Sequence, residues 1–331
     1  MRRRLLTLIV AAAALGAGTA TGARTSAQTG VVVVDTNLAY QNGAAAGTGM
    51  VLTQDGQVLT NNHVIRGATT IRVVVPQTRR SYAARVVGYS ISADVALLQL
   101  TNASGLATVA LADSTKVEPG QTVTAVGNAG GTGRLIATTG KVIGLDRTIT
   151  VSDEQGGMVQ LNRLIETDAS LQPGDSGGPL LDANGRVIGM DSAASAGFSF
   201  QGAPSDGYAI PIARATSIVK QIVDGRASAQ VHIGGTAFLG VQVQTSGYFS
   251  NGEYKAGELV MGVVPGSPGA KAGITAGVVI TAVNARTVES QAALVALLLP
   301  RHPGDTVTLS WIDQTGARHK GSVTLASGPP Q

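Results

Sequence analysis

From Val31 to Ile222 the chain is cut into short apolar runs of four to seven residues, punctuated at short intervals by Gly, Asp and Asn. VVVV (31–34), GTGMVLT (47–53), GQVLT (56–60) and TIRVVV (70–75) come first; AARVVGY (83–89), VALLQL (95–100) and QTVTAVG (121–127) follow. Runs this short are too brief for stable helices and suit strands joined by tight turns. Gln54-Asp55-Gly56 between two of them reads as a hairpin turn. Glycine fills 44 of 331 positions, nearly twice the usual share of about 7%, and supplies the corners. The rhythm predicts about ten short strands, hence an all-β barrel or sandwich.

A second unit is expected after the polar, glycine-rich stretch DGRASAQVHIGG. Strands are predicted at FLGVQV (238–243), ELVMGVV (258–264), VVITAVN (278–284) and TVTLSWI (306–312). ESQAALVALLL (289–299) has helical length, and Pro300 and Pro303 end it. The expected organisation is an N-terminal segment at 1–30, a first unit at 31–223, a linker at 224–235 and a second unit at 236–327.

The first residues carry Arg2, Arg3 and Arg4, then an apolar run from Leu5 to Gly18 broken only by Thr7, then small residues. That is the pattern of an export signal. Fourteen residues is short for a bilayer span of about 20. An uncleaved anchor is the alternative, and only that reading brings a membrane in. The formal charge of +4 comes mostly from those three arginines, leaving +1 for the rest. With 3% aromatics and no basic stripe, nucleic acid is not an expected partner. Cysteine is absent, which removes disulfides, thiolate metal sites and cysteine nucleophiles. No metal or cofactor is expected.

The sharpest local string is Pro173-Gly174-Asp175-Ser176-Gly177-Gly178-Pro179-Leu180. A serine among glycines can protrude from a tight loop whose N–H groups converge on one spot, ready to stabilise an oxyanion. Such a serine needs a base. Of four histidines, only His63 precedes the linker, in Thr60-Asn61-Asn62-His63-Val64-Ile65 directly after a strand. The base needs a buried carboxylate to orient it. Asp94 heads the apolar run VALLQL, where water is scarce; Asp113, Asp146 and Asp153 sit in polar turns, and Asp168 suits backbone capping.

The order His63, Asp94, Ser176 is the trypsin-like one. TNNHV, DVALLQL and ETDASLQPGDSGGPLLDANGRVIGM together resemble the HtrA (Deg-type) serine proteases. FLGV (238–241), VVPGSPGAKAGITAGVVITAVN (263–284) and PGDTVTL (303–309) resemble their PDZ domain. The resemblance implies a mainly β chain, a trypsin-like double β-barrel followed by a PDZ domain. It implies an exported endopeptidase acting on misfolded or selected proteins in the cell envelope, periplasm or outside the cell, and is compatible with a homo-oligomer. The alternative is a chaperone-like or PDZ-scaffold protein in which proteolysis is secondary. The resemblance further implies oxyanion donors at the N–H groups of Gly174 and Ser176, and an uncharged substrate pocket floored by Ser170. It implies a loop Phe238-Leu239-Gly240 that takes peptide C-termini by strand addition. The chain departs from the family at Asp175, where Asn is commoner, and in the PDZ unit at Val278 and Ala285, where Asp and Gly are usual.

Overall fold

The computed structural model describes residues 27–152, 158–192, 199–200, 207–250 and 253–331. The expected export signal or anchor lies outside them, save for Ala27–Gly30. Among the described residues, no helix is long and apolar enough to cross a membrane.

Six strands close the first barrel: Val31–Leu38, Gly43–Val51, Gln57–Thr60, Thr70–Val75, Arg80–Ser90 and Val95–Leu100. Each pairs antiparallel with its neighbour, and the last two pair with each other to shut the ring. The run VALLQL shows why it is apolar almost throughout. Ala96, Leu98 and Leu100 point into the barrel, while Val95 and Leu97 face a second core on the other side. Val31 and its neighbour Val32 divide in the same way, so VVVV is buried on both faces. Burying a side chain such as Leu98 contributes about 1.5–3 kcal/mol.

The second barrel uses Thr122–Gly127, Ile136–Ser152, Met158–Thr167, Pro179–Leu181, Val187–Asp191 and Gly207–Pro211. The long pair Ile136–Ser152 and Met158–Thr167 closes it. Val123, Ala125, Ile165, Leu180 and Ile188 fill its interior. Between the barrels lies a shared core in which Met50, Leu59 and Leu97 of the first meet Val126, Leu164 and Met190 of the second. The helix Ile212–Val223 adds Ala215, Val219 and Ile222 to that core.

Residues 224–235 are not all irregular. His232–Ile233 pairs with Gly88–Tyr89 and adds a seventh strand to the first barrel's sheet. The third unit is a sheet in the order Val241–Ser250, Glu253–Val263, Val279–Val283, Thr306–Ile312, Arg318–Thr324, with Arg286–Thr287 beside Val279–Val283. Thr236–Phe238 pairs separately with Ala326–Gly328. The expected helix is present at Gln291–Leu298, capped by the Ser290 hydroxyl, which accepts from the Ala293 N–H. Leu239, Ile280, Leu294, Leu309 and Trp311 belong to this unit's own core.

Candidate active site

His63 sits on a one-turn helix, Asn62–Ile65, that follows the strand Gln57–Thr60. Val64 and Ile65 bury into the first barrel and fix the turn, so the side chain between Asn62 and Val64 is held at the barrel rim. Asp94 is buried, in the left-handed backbone region at φ 52°, immediately before Val95–Leu100. Its Oδ2 lies 2.8 Å from His63 Nδ1, and its Oδ1 accepts the His63 backbone N–H at 3.0 Å. One carboxylate thus fixes both the ring and the backbone of His63. With Nδ1 donating to Asp94, Nε2 is the acceptor nitrogen.

Ser176 is buried at the mouth of the turn joining Met158–Thr167 to Pro179–Leu181. It lines the same cleft as His63, a space of about 980 Å³. The flanking glycines have steric reasons. A Cβ on Gly174, at φ 101°, would lie 2.2 Å from Asn128 O; one on Gly177, at φ 85°, would lie 2.1 Å from Thr48 O. The Pro173 carbonyl accepts from the Gly130 N–H at 2.7 Å. A trans peptide sets C=O and N–H on opposite sides, so this bond directs the Gly174 N–H away from Gly130.

Three positioning groups were not legible in the sequence. Thr48 ties the first barrel to the turn around Ser176: its Oγ1 donates to Gly174 O at 2.7 Å and accepts from Asn128 N at 2.9 Å, and its N–H donates to Ser176 O at 2.8 Å. Ser192 Oγ donates to Asp94 Oδ2 at 3.2 Å, and Asn61 Nδ2 donates to the Asp94 carbonyl at 2.9 Å. These are ordinary small polar residues, and only their tertiary neighbours mark them out. Behind Ser176 lie two buried carboxyls, Asp175 and Asp191.

Ser170 is brought less close. It is exposed, takes a 3.3 Å hydrogen bond from Gln172 Nε2, and does not line the cleft. Residues 193–198 and 201–206 lie outside the described residues.

Phe238, Leu239 and Gly240 line the far end of the cleft that holds His63 and Ser176. Gly240 is at φ 80°, with the Ser267 side chain against it, so a Cβ there would lie 2.2 Å from Ser267 Cβ. The carbonyl of Leu239 accepts from Gly269 N and that of Gly240 from Val264 N, which pins the loop from behind. Val241–Ser250 is an edge strand with one strand partner, and the helix Gln291–Leu298 stands across the groove. The Leu239 side chain turns into the core, while the Phe238 ring stacks on Tyr40 of the first barrel at 5.2 Å.

Comparison with known proteins supports the same division. The family described as "Trypsin-like peptidase domain" matches residues 47–190, and "PDZ domain" matches residues 237–314. The chain is 33% identical over 309 residues to "Serine protease PepD" of Mycobacterium tuberculosis, covering 89% of this chain and 63% of that protein. It is 35% identical over 281 residues to "Periplasmic pH-dependent serine endoprotease DegQ" of Escherichia coli, covering 84% and 59%. A solved structure, "HtrA-type protease AlgW with tripeptide", superposes with a TM-score of 0.53 at 26% identity over 93% of this chain and 97% of that one. This chain carries a trypsin-like peptidase domain followed by one PDZ domain, and is similar over most of its length to HtrA-type serine proteases. It spans about 60% of the length of the curated relatives it matches.

The likeness gives the departures a structural meaning. Ala285 stands at φ 64° beside Asn284 at φ 49°, the two-residue turn between Val279–Val283 and Arg286–Thr287. Both residues have the positive φ of a type I′ turn, where Gly fits best. Val278 is buried in the core of the third unit, a place that suits an apolar side chain.

Proposed function

We propose that the chain is an exported serine endopeptidase in which Ser176 is the nucleophile, His63 its base and Asp94 the group that orients His63. The observation that carries this reading is the 2.8 Å Asp94–His63 contact opening on the cleft that Ser176 also lines. His63 Nε2 takes the proton as Ser176 Oγ bonds to the substrate's carbonyl carbon. The carbonyl oxygen gains the negative charge and is met by the N–H groups of Gly174 and Ser176. His63 then gives its proton to the leaving amine, the peptide bond breaks, and an acyl-enzyme remains. Water, activated by the same histidine, adds to the acyl carbon, releases the carboxylate product and restores Ser176. Asp94, fixed by Ser192 and Asn61, stabilises the imidazolium throughout.

The substrates are unfolded or selected proteins, with small aliphatic residues before the scissile bond. The Phe238-Leu239-Gly240 loop receives a peptide's C-terminal carboxylate while its backbone adds to the edge strand Val241–Ser250. Several relatives are named periplasmic, which supports an exported protein of the cell envelope.

The test is hydrolysis of casein by wild type and by Ser176→Ala, with organophosphonate labelling of Ser176. Expected are loss of turnover by several orders of magnitude and no labelling in the variant. Equal proteolysis by the purified variant overturns the assignment.

A further inference from the structure

Asp175 and Asp191 are 4% and 0% exposed. Among the described residues, neither carboxyl oxygen of Asp191 has a hydrogen-bond partner, and neither does Asp175 Oδ1; Asp175 Oδ2 accepts the Gln172 N–H at 2.8 Å. Their backbones belong to the nucleophile turn. The Gly177 N–H donates to Asp191 O at 2.9 Å, the Asp191 N–H to Gly178 O at 2.8 Å, and the Gly178 N–H to Asp175 O at 2.9 Å. No described lysine, arginine or histidine forms an ion pair with either carboxyl. From the strand Thr122–Gly127 the surface against Asp175 is Gly127, which carries no charge. Beyond Ser192 stands Asp94, already joined to His63. Beyond Tyr208, whose carbonyl takes the Ser192 N–H, stands Glu166, which is paired with Arg147.

Two unpaired carboxyls in an apolar interior cannot both ionise cheaply, because burial and mutual repulsion oppose the second charge. We propose that Asp175 and Asp191 are positioning residues of the nucleophile turn, which holds its oxyanion N–H groups in place only while the pair keeps at least one proton. The inference rests on the proteolytic reading above and adds to it an alkaline limit set behind the active site.

Burial pushes the Asp175 carboxyl up to about 6. It pushes Asp191 well above the usual carboxylate range, and the Asp175 charge adds to that. Folded values raised above the unfolded ones mean that the folded chain keeps these protons longer. The pair's contribution to stability is therefore present at acid pH and is lost as pH rises, first through about 6 and then as Asp191 ionises. When both are charged, the backbone bonds tying Gly177 and Gly178 to Asp191 and Asp175 give way, and the Gly174 and Ser176 N–H groups lose their aim.

The test is kcat/KM for a peptide with valine before the scissile bond, followed over roughly pH 5 to 10 in wild type, Asp175→Asn and Asp191→Asn. Wild type should show an alkaline limb falling about tenfold per pH unit in kcat/KM. Either asparagine variant, unable to carry two charges, should flatten that limb when each profile is scaled to its own value near neutrality. Three superimposable profiles overturn the proposal, as do folded asparagine variants that are inactive at every pH. A second measurement needs no activity. In the Ser176→Ala background, Tm should fall between acid and alkaline pH more steeply than in the triple variant Asp175→Asn/Asp191→Asn/Ser176→Ala. Parallel curves overturn the carboxyl pair; steeper loss together with an inactive wild type keeps the pair and sinks the protease.

Discussion

Thr48 does at the scale of one residue what no motif advertises. Its hydroxyl bridges Asn128 N and Gly174 O, so one side chain sets the distance between the rim of the first barrel and the turn around Ser176. Thr48→Val keeps the shape and leaves both backbone groups buried without a partner, at about 1–3 kcal/mol. The expected result is a lower Tm and a kcat reduced about tenfold for each 1.4 kcal/mol of lost transition-state binding, with KM little changed. Thr48→Ser should restore both. A Thr48→Val enzyme with unchanged kcat would show that the turn holds itself. Ala285 offers the opposite trial. An L-residue in the left-handed region costs about 1–2 kcal/mol, part of which glycine's backbone entropy offsets. Ala285→Gly is therefore expected to stabilise the third unit by about 0.5–1 kcal/mol, read by urea unfolding of the whole chain.

Elements were legible where one period governed them. The strand Val95–Leu100 and the helix Gln291–Leu298 lie inside the runs that signalled them, with Ser290 as the cap. Ser290→Ala removes the oxygen that accepts the Ala293 N–H, and should cost about 1 kcal/mol. Titration with an aliphatic C-terminal peptide should then show weaker binding, because the frayed helix end lines the groove. The long strand Ile136–Ser152 gave no clean signal. Its pairing slips between Val142 and Gly144, between Gly144 and Arg147, and between Arg147 and Ile149. Each bulge resets which face a side chain takes, so alternation is lost in the sequence while the ladder continues. His232–Ile233 was hidden for another reason. Two residues in a glycine-rich stretch are too few to show an alternating pattern, and the edge of Arg80–Ser90 recruits them. The catalytic candidates were readable because few residue types can do their chemistry. Thr48, Asn61 and Ser192 were not, because many small polar residues could have stood in their places.

In the whole molecule, the third unit meets the barrels at His232. The ring is buried, packs on Tyr89 and stacks on His302 at 5.4 Å. Its two nitrogens face the carbonyls of Leu299 and Gly235. Burial holds this histidine below its ordinary value of 6.5, with the neighbouring His302 acting in the same direction. A depressed folded value means that the junction's stability is present above the unfolded value and is lost as pH falls below it. Scattering should accordingly record a larger radius of gyration in mildly acidic solution than at neutral pH. His232→Gln, which cannot take up a proton, should remove the difference. An acid expansion of equal size in the variant would move the switch elsewhere.

The barrels also impose a timetable. His63 and Asp94 are supplied by the first, Ser176 by the second, and Thr48 of the first grips the turn around Ser176 of the second. On the proposed triad, a ribosome that has finished the first barrel has made the base and its carboxylate without the nucleophile. A chain caught between the two stages would then cut neither its neighbours nor itself, and competence to hydrolyse would arrive in one step, when the halves dock.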